Sequence, residues 1–228
     1  MHRTVDLKVL YFGTPVVLIS TRNEDGSANI APMSSAWWLG DRCMLGMNSA
    51  SQTTRNLLRE RECVLNLPSS DLVAAVDRLA LLSGSPEMTP HKVEKGYRYE
   101  PDKFGAAGLT AVASETVAAP RIAECPIQLE AKVLSARPFD ERNSVTAHTL
   151  QVVRAHVAEE LIVPGTDHVD PRGWDPLIMK FCEYFGGGTQ LHHSRLAEAW
   201  QIPQPDKIPA RVAGMRSSRI GFAGAWIQ

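Results

Sequence analysis

The chain opens its patterned region with an unbroken apolar run, Val16-Val17-Leu18-Ile19, followed by Ser20 and Thr21 and stopped by the turn formers Asn23-Glu24-Asp25-Gly26-Ser27. A β-branched run closed by such a cluster reads as a strand entering a hairpin. The chain resumes at Ala28-Asn29-Ile30, continues to Trp37-Trp38-Leu39, turns at Gly40-Asp41-Arg42 and returns through Cys43-Met44-Leu45-Gly46-Met47. This pattern predicts three sequential antiparallel strands. The period then changes: Thr54, Leu57, Leu58 and Arg61 recur at helical intervals. They lie behind two rival N-caps, Ser51 or Ser49, the latter in capping-box spacing with Gln52. A helix ending near Arg61 or Glu62 is expected, then a strand over Cys63-Val64-Leu65-Asn66-Leu67. A second helix should follow with Leu72, Val73, Val76, Leu79 and Ala80 on one face, capped by Ser70 or Asp71 and stopped at Gly84.

From 85 to 120 the pattern is mixed, with 91–97 and 101–105 reading as short helical or irregular pieces that fold over the sheet. Strand character returns as alternation over 127–134 and again over 146–157, and 138–144 would join these two as a hairpin. Beyond Val163 the chain is rich in Pro and Gly, including Gly186-Gly187-Gly188. Many strands with short turns and few helices point to an antiparallel barrel rather than a doubly wound sheet. The expected organisation is one domain over 1–228 with a Gly/Pro-rich extension from about 164.

Composition narrows the function classes. Across 228 residues, 44% hydrophobic and 21% charged is ordinary for a globular chain, and 24 Lys plus Arg against 25 Asp plus Glu creates no global field. Nucleic acid and membrane partners are therefore not expected, and an anionic ligand must be held locally. No apolar run has signal-peptide or membrane-span length, so the expected address is cytoplasmic. Cys43, Cys63, Cys125 and Cys182 are widely spaced, form no C-x-x-C pair and read as reduced core thiols. No G-x-S-x-G, Walker A or G-x-G-x-x-G fingerprint occurs, so a Rossmann-bound nicotinamide has no support.

Two segments stand out. Ser49, Ser51, Thr53 and Thr54 place four hydroxyls within six residues at a helix start, beside Gln52 and Arg55. Capping uses one or two hydroxyls; the alternative is a phosphate held by hydroxyls, helix N–H groups and a guanidinium. The other segment, Asn29 with Ala31, Pro32, Met33, Ser34, Ser35 and Ala36, is either a strand with an edge or bulge at Pro32 or a surface of small residues that a flat ring can approach. Adjacent strand residues face opposite ways, so at most one of Trp37 and Trp38 stacks on a ligand or covers a subunit interface. His192-His193 has no acidic companion at ligand spacing, and His148 and His156 lie too far apart to share a metal, so no metal site is expected.

These residues are familiar as a set. Segments 13–21 (GTPVVLIST), 25–27 (DGS), 29–35 (NIAPMSS), 51–57 (SQTTRNL) and 64–68 (VLNLP) resemble the flavin reductase-like family, in the family's order. So do 102–109 (DKFGAAGL), 120–126 (PRIAECP), 129–131 (LEA) and the His148 strand, and the likeness spans about the first three quarters of the chain. It implies a mainly β, antiparallel Greek-key split barrel with a few flanking helices, a homodimer, and one FMN per subunit. By the same resemblance the phosphate lies toward Ser51, Thr53 and Arg55, with Ser49 and Gln52 beside it, the ring lies along Pro32 to Ala36, and Asn29 fixes the ribityl chain or ring. Tyr184, Phe185, Gly186 and Gly187 match a C-terminal element that approaches the flavin. The implied activity is hydride transfer from NADH or NADPH to flavin, with electrons passed to a small-molecule acceptor or a partner oxygenase. Ser35 or nearby N–H groups would stabilise charge on the reduced ring, and no general acid or base is expected. The rival readings are a flavin-dependent oxygenase or oxidase of a small organic substrate, and a non-catalytic flavin-binding protein.

Overall fold

Short runs of β-branched and aliphatic residues separated by turn formers build most of the described structure. The computed structural model describes residues 1–139, 144–192, 194–199 and 201–203. His193 and part of the expected 138–144 hairpin lie outside them. The described chain falls into two units, Met1–His156 with Pro176–Gly186, and Val157–Asp175 with the residues from Gly187 onward.

The first unit begins with β1 (Phe12–Pro15), β2 (Val17–Arg22), β3 (Ala28–Met33), β4 (Ala36–Leu39) and β5 (Arg42–Asn48). Helix α1 (Gln52–Glu60), β6 (Glu62–Leu67), α2 (Val73–Leu79) and β7 (Leu82–Ser83) follow. Then come α3 (Pro90–Glu94), β8 (Arg98–Tyr99), α4 (Lys103–Ala107), β9 (Ala111–Val112) and β10 (Arg121–Ile122). The long strands β11 (Ile127–Pro138) and β12 (Val145–Val157) precede β13 (Ile178–Lys180) and β14 (Glu183–Phe185). Seven strands form one sheet in the order β3-β2-β6-β11-β12-β5-β4. Antiparallel pairing carries Leu18 opposite Pro32 and Asn66, and His148 opposite Leu45. Strands β3 and β4 occupy opposite edges, yet only Ser34 and Ser35 separate them in sequence, so the two edges adjoin and the sheet curls into a split barrel.

The expected single strand from Ala28 to Leu39 is therefore corrected. It breaks at Ser34-Ser35, where the chain leaves β2 and β4 takes up β5. Pro32, lacking an N–H, fits the edge position of β3. The crossing is fastened by the Gly46 N–H donating to the Ser35 carbonyl at 2.9 Å.

Helix α1 is as the periodicity requires. Ser51 is its N-cap, its Oγ accepting from the Thr54 N–H at 3.1 Å, and Arg61 closes it in the left-handed region at φ 61°. The guanidinium of Arg61 donates to the carbonyls of Val133 and Leu134, which holds that backbone conformation. The second helix departs from expectation: Ser70–Leu72 is a 3-10 turn, α2 starts at Val73 without a side-chain cap and ends at Leu79, and Gly84 lies beyond β7 rather than at the helix stop. Its apolar face nevertheless packs as read, with Val76 and Leu79 buried against Leu18, Ile30, Phe104, Ile122 and Leu177. Each such fully buried aliphatic side chain contributes about 1.5–3 kcal/mol. The Val16 N–H donates to the Leu177 carbonyl and tethers the returning segment to this core.

Both strand histidines are structural. Buried Glu130 accepts from the N–H groups of Glu115 and Thr116 and is hydrogen-bonded to His156 at 2.7 Å. Burial works against its charge, but these bonds prevail and hold its pKa at about 2. His148 is fully buried with neither ring nitrogen partnered, and burial, aided by Arg61, pushes its pKa down to about 4. Cys43, Cys63 and Cys125 are buried free thiols. Cys182 is exposed, contrary to expectation, because Phe181 and Cys182 form the left-handed turn (φ 48° and 68°) between β13 and β14.

In the second unit a 3-10 turn at Glu159–Leu161 and the bridge of Ile162 to Val169 enclose Leu161 and Val163. The glycine-rich stretch is tied by the Asp175 carboxylate, which accepts from the N–H groups of Gly187 and Gly188. Helix α5 (Arg195–Ala199) belongs to this unit. Among the described residues no helix is long and apolar enough to cross a membrane, and no cluster of His, Cys, Asp or Glu has the makings of a metal site.

Candidate functional site

The N-terminus of α1 is anchored to the β2-β3 hairpin by a buried amide network. Asn56 donates to Thr21 and Asn23, Gln52 donates to Asn56, and Asn29 donates to Thr21 at 3.2 Å and to Thr53 at 3.0 Å. Buried polar groups in such a network are costly unless satisfied, and satisfied they fix one geometry. One member is left over: the side-chain carbonyl Oδ1 of Asn29 is buried without a partner. It lies against Gly84, where a β-carbon would come within 2.3 Å of it.

Around this network runs a groove made of four cavities that share lining residues. The central one, about 180 Å³, is lined by Asn29, Ala31, Pro32, Met33, Ser51, Gln52 and Thr53, with Gly84, Lys92 and Lys103 across from them. Through Pro32, Met33 and Ala80 it adjoins a cavity of about 190 Å³ that also takes in Ser34, Met179, Cys182 and Tyr184. Tyr11 and Ser34 link that to a larger cavity of about 710 Å³ walled by Ser35, Ala36, Trp37, Gly46 and Phe139. On the other side, Asn48, Lys92 and Tyr97 connect the centre to a basic cavity of about 480 Å³ containing Arg55, His91 and Lys95.

Most of the sequence-derived residues are thus brought together, from Asn29 through Ala36 on one wall to Ser51, Gln52 and Thr53 on the other. Three details refine the picture. The Ser51 hydroxyl is committed to capping, since it accepts from Thr54 N–H and donates to Thr54 Oγ1. Ser49 lines none of these cavities and hydrogen-bonds Thr146 at 2.8 Å. Arg55 lies in the basic cavity, donating to the Ala50 carbonyl at 3.1 Å. Trp37 is 56% exposed, whereas Trp38 is half-buried with its indole N–H unpartnered, so the two face opposite sides.

The cations were mostly missed in the sequence. Lys103 is only 4% exposed, and its ammonium donates to the Ile30 carbonyl at 2.9 Å. Burial, reinforced by repulsion from Lys92, lowers its pKa to about 8. Lys92 is lowered by burial and by Arg55. Among the described residues Arg55, Lys92, Lys95 and Lys103 make no salt bridge. Lys92 and Lys103, their protonation weakened first by burial and then by a neighbouring cation, lie beside the N-terminus of α1 and make a local field suited to an anion. Segment 102–104 (DKF) carried part of this signal, but only the docking of α4 on β3 shows that its lysine is buried in the groove.

Comparison with known proteins agrees with this architecture. A family model described as "Flavin reductase like domain" matches residues 9–185. The protein YdfE of Bacillus subtilis (strain 168) is 42% identical over 184 residues, covering 81% of this chain and 88% of that protein. Among solved structures, the flavoredoxin of Desulfovibrio vulgaris (Miyazaki F) superposes with a TM-score of 0.71 at 23% identity, covering 87% of this chain and all of that one. Nitrilotriacetate monooxygenase component B from Bacillus cereus gives 0.64 at 20% identity, covering 80% and 88%. With a family model spanning most of the described barrel and a relative of this identity and coverage, the chain belongs to the flavin reductase-like family.

Proposed function

We propose that the groove binds FMN and that the protein is an oxidoreductase passing hydride from NADH or NADPH to flavin. The observation that carries this reading is the pairing of unneutralised Lys92 and Lys103 with the buried, unpartnered Asn29 carbonyl in one cavity. A phosphate answers the first, and a hydroxyl-bearing ribityl chain answers the second. The residues present fit the group: Gly84, lacking a β-carbon, leaves room for the Asn29 amide at the cavity wall, and Pro32, Met33, Ala36 and Gly46 offer a low wall on which a flat ring can lie.

In this reading Thr53, Lys103 and the first N–H groups of α1 hold the phosphate, with Lys92 and Arg55 supporting from the basic side. Asn29 orients the ribityl chain. Residues 32–36 carry the ring, and Tyr11 and Ser35, hydrogen-bonded to each other at 3.2 Å, present hydroxyls at its far end. Trp37, Phe139 and Leu45 add apolar surface to the large cavity. Bound FMN would supply the hydride acceptor, so no protein acid or base is assigned. The exposed Trp37 and Leu39 on the edge strand β4 support a homodimer in which a second copy covers this face.

Anaerobic mixing of the FMN-loaded protein with NADH and, separately, NADPH tests the activity. Loss of the oxidised flavin absorbance with either nucleotide is expected. Failure of both to bleach a bound flavin rejects the reductase reading.

A further inference from the structure

The largest cavity extends beyond the surface assigned to the flavin ring. Of residues 32–36 only Ser34, Ser35 and Ala36 line it, and the rest of its wall comes from β4, β5, the end of β11, the start of β12 and the segment before β2. Its volume of about 710 Å³ lies within the range of about 300–1,000 Å³ that holds a complete small ligand. Most of the wall is apolar. Leu45 and Ala147 contribute buried aliphatic surface, and Trp37 and Phe139 contribute exposed aromatic surface. Flat aromatic faces beside an apolar wall favour an aromatic guest. The charge of the cavity is single and positive. Arg137, at the end of β11, is the one charged side chain among the described residues that line it. Among the described residues it makes no salt bridge and no side-chain hydrogen bond. A guanidinium stays protonated at any working pH, and its planar fork matches a carboxylate. Because Arg137 is exposed, a carboxylate can meet it without being carried into the apolar interior, while the body of the same molecule covers the buried wall.

We propose that this cavity binds a small aromatic carboxylate beside the flavin, its ring against Trp37 and Phe139 and its carboxylate on Arg137. The inference rests on the flavin reading above and deepens it, because it gives the chemical class of the molecule that meets the ring. Other classes fit less well. A short acyclic acid leaves the apolar wall uncovered, a cation is repelled by Arg137, and a phosphate ester finds more positive charge at Arg55, Lys92 and Lys95 in the basic cavity.

Benzoate, benzyl alcohol and acetate separate the contributions of ring and charge. Each is titrated into FMN-loaded protein, and binding is read from the flavin difference spectrum and by calorimetry. Benzoate should bind saturably and perturb the flavin spectrum, and acetate should bind at least about tenfold more weakly because it lacks the ring. Arg137 is exposed and holds no described partner, so Arg137→Gln spares the fold. The variant should lose about five- to tenfold in benzoate affinity, keep its affinity for benzyl alcohol and FMN, and regain part of the benzoate affinity as Arg137→Lys. Equal benzoate affinities in wild type and Arg137→Gln, or equal losses for benzoate and benzyl alcohol, overturn the proposal. So does a wild-type protein that binds FMN but no benzoate, as when a second copy of the chain fills the cavity. Failure of FMN itself to bind sinks the flavin reading instead, and calorimetric titration of the flavin-free protein with benzoate, wild type against Arg137→Gln, then decides whether the cavity selects the carboxylate.

Discussion

Asn29 and Gly84 are matched so closely that the glycine's missing β-carbon leaves room for the amide: an added Cβ would stand 2.3 Å from Asn29 Oδ1 and 3.2 Å from Cγ. The same amide donates to Thr21 and Thr53, which ties the position of β3 to the start of α1. Sequence suggested Gly84 as a helix stop. In the structure it is the residue that lets a buried acceptor stand at the wall of the groove.

Gly84→Ala should therefore push Asn29 out of place. Overpacking of this kind costs about 1–3 kcal/mol, which thermal or urea unfolding would register. FMN affinity should fall by about tenfold or more if the Asn29 carbonyl is displaced from a charge-free hydrogen bond and the Thr53 contact is lost. Unchanged affinity in a folded Gly84→Ala protein would remove Asn29 from the ligand site.

The phosphate end can be tested with a ligand that lacks it. The double variant Thr53→Ala, Arg55→Ala should weaken FMN binding by about 10- to 100-fold while leaving riboflavin affinity within a few-fold, because only FMN carries the charge these groups meet. Fluorescence titration of both flavins provides the comparison. Equal losses for the two would place the effect in the fold rather than in phosphate recognition.

Lys103 gives the site a pH dependence. With its pKa lowered to about 8 by burial and Lys92, it is charged below that pH and neutral above it. FMN affinity should accordingly hold steady from neutral pH to about 8 and decline as pH rises further, whereas riboflavin affinity should not follow. Lys103→Met should bind FMN more weakly and flatten the decline. A wild-type FMN profile level through pH 8 to 10 would rule out this lysine as a phosphate contact.

His148 predicts a separate effect on stability. The folded state keeps it neutral down to about 4, while the unfolded chain protonates it near its ordinary 6.5. Unfolding thus takes up a proton between these values, so the stability contribution is intact above 6.5 and is lost as pH falls toward 4. The change amounts to about 3 kcal/mol. Urea midpoints measured across this range should drop in wild type and drop less in His148→Leu, and parallel slopes would contradict the assignment.

Local pattern made the strands, α1 and the α2 face legible because each is governed by near neighbours: β-branched runs, turn clusters, and the Ser51 cap. The break at Ser34-Ser35 was not legible, since it depends on β4 finding β5 across the barrel rather than on any helix or turn former at that point. The walls of the groove were visible as 29–36 and 49–55. Its charge was not, because Lys92 and Lys103 lie on short α3 and α4 elements whose docking is tertiary, and a buried lysine looks no different in sequence from a solvated one. Ser49 shows the converse: a hydroxyl at the expected spacing is engaged by Thr146 from a strand nearly a hundred positions away.

Titrating the purified, flavin-stripped protein with FMN and following visible absorbance and flavin fluorescence tests flavin binding most directly. Saturable uptake of one FMN per chain, with a perturbed flavin spectrum, is the expected result. A protein that is colourless when purified and acquires no bound flavin at saturating FMN would contradict it.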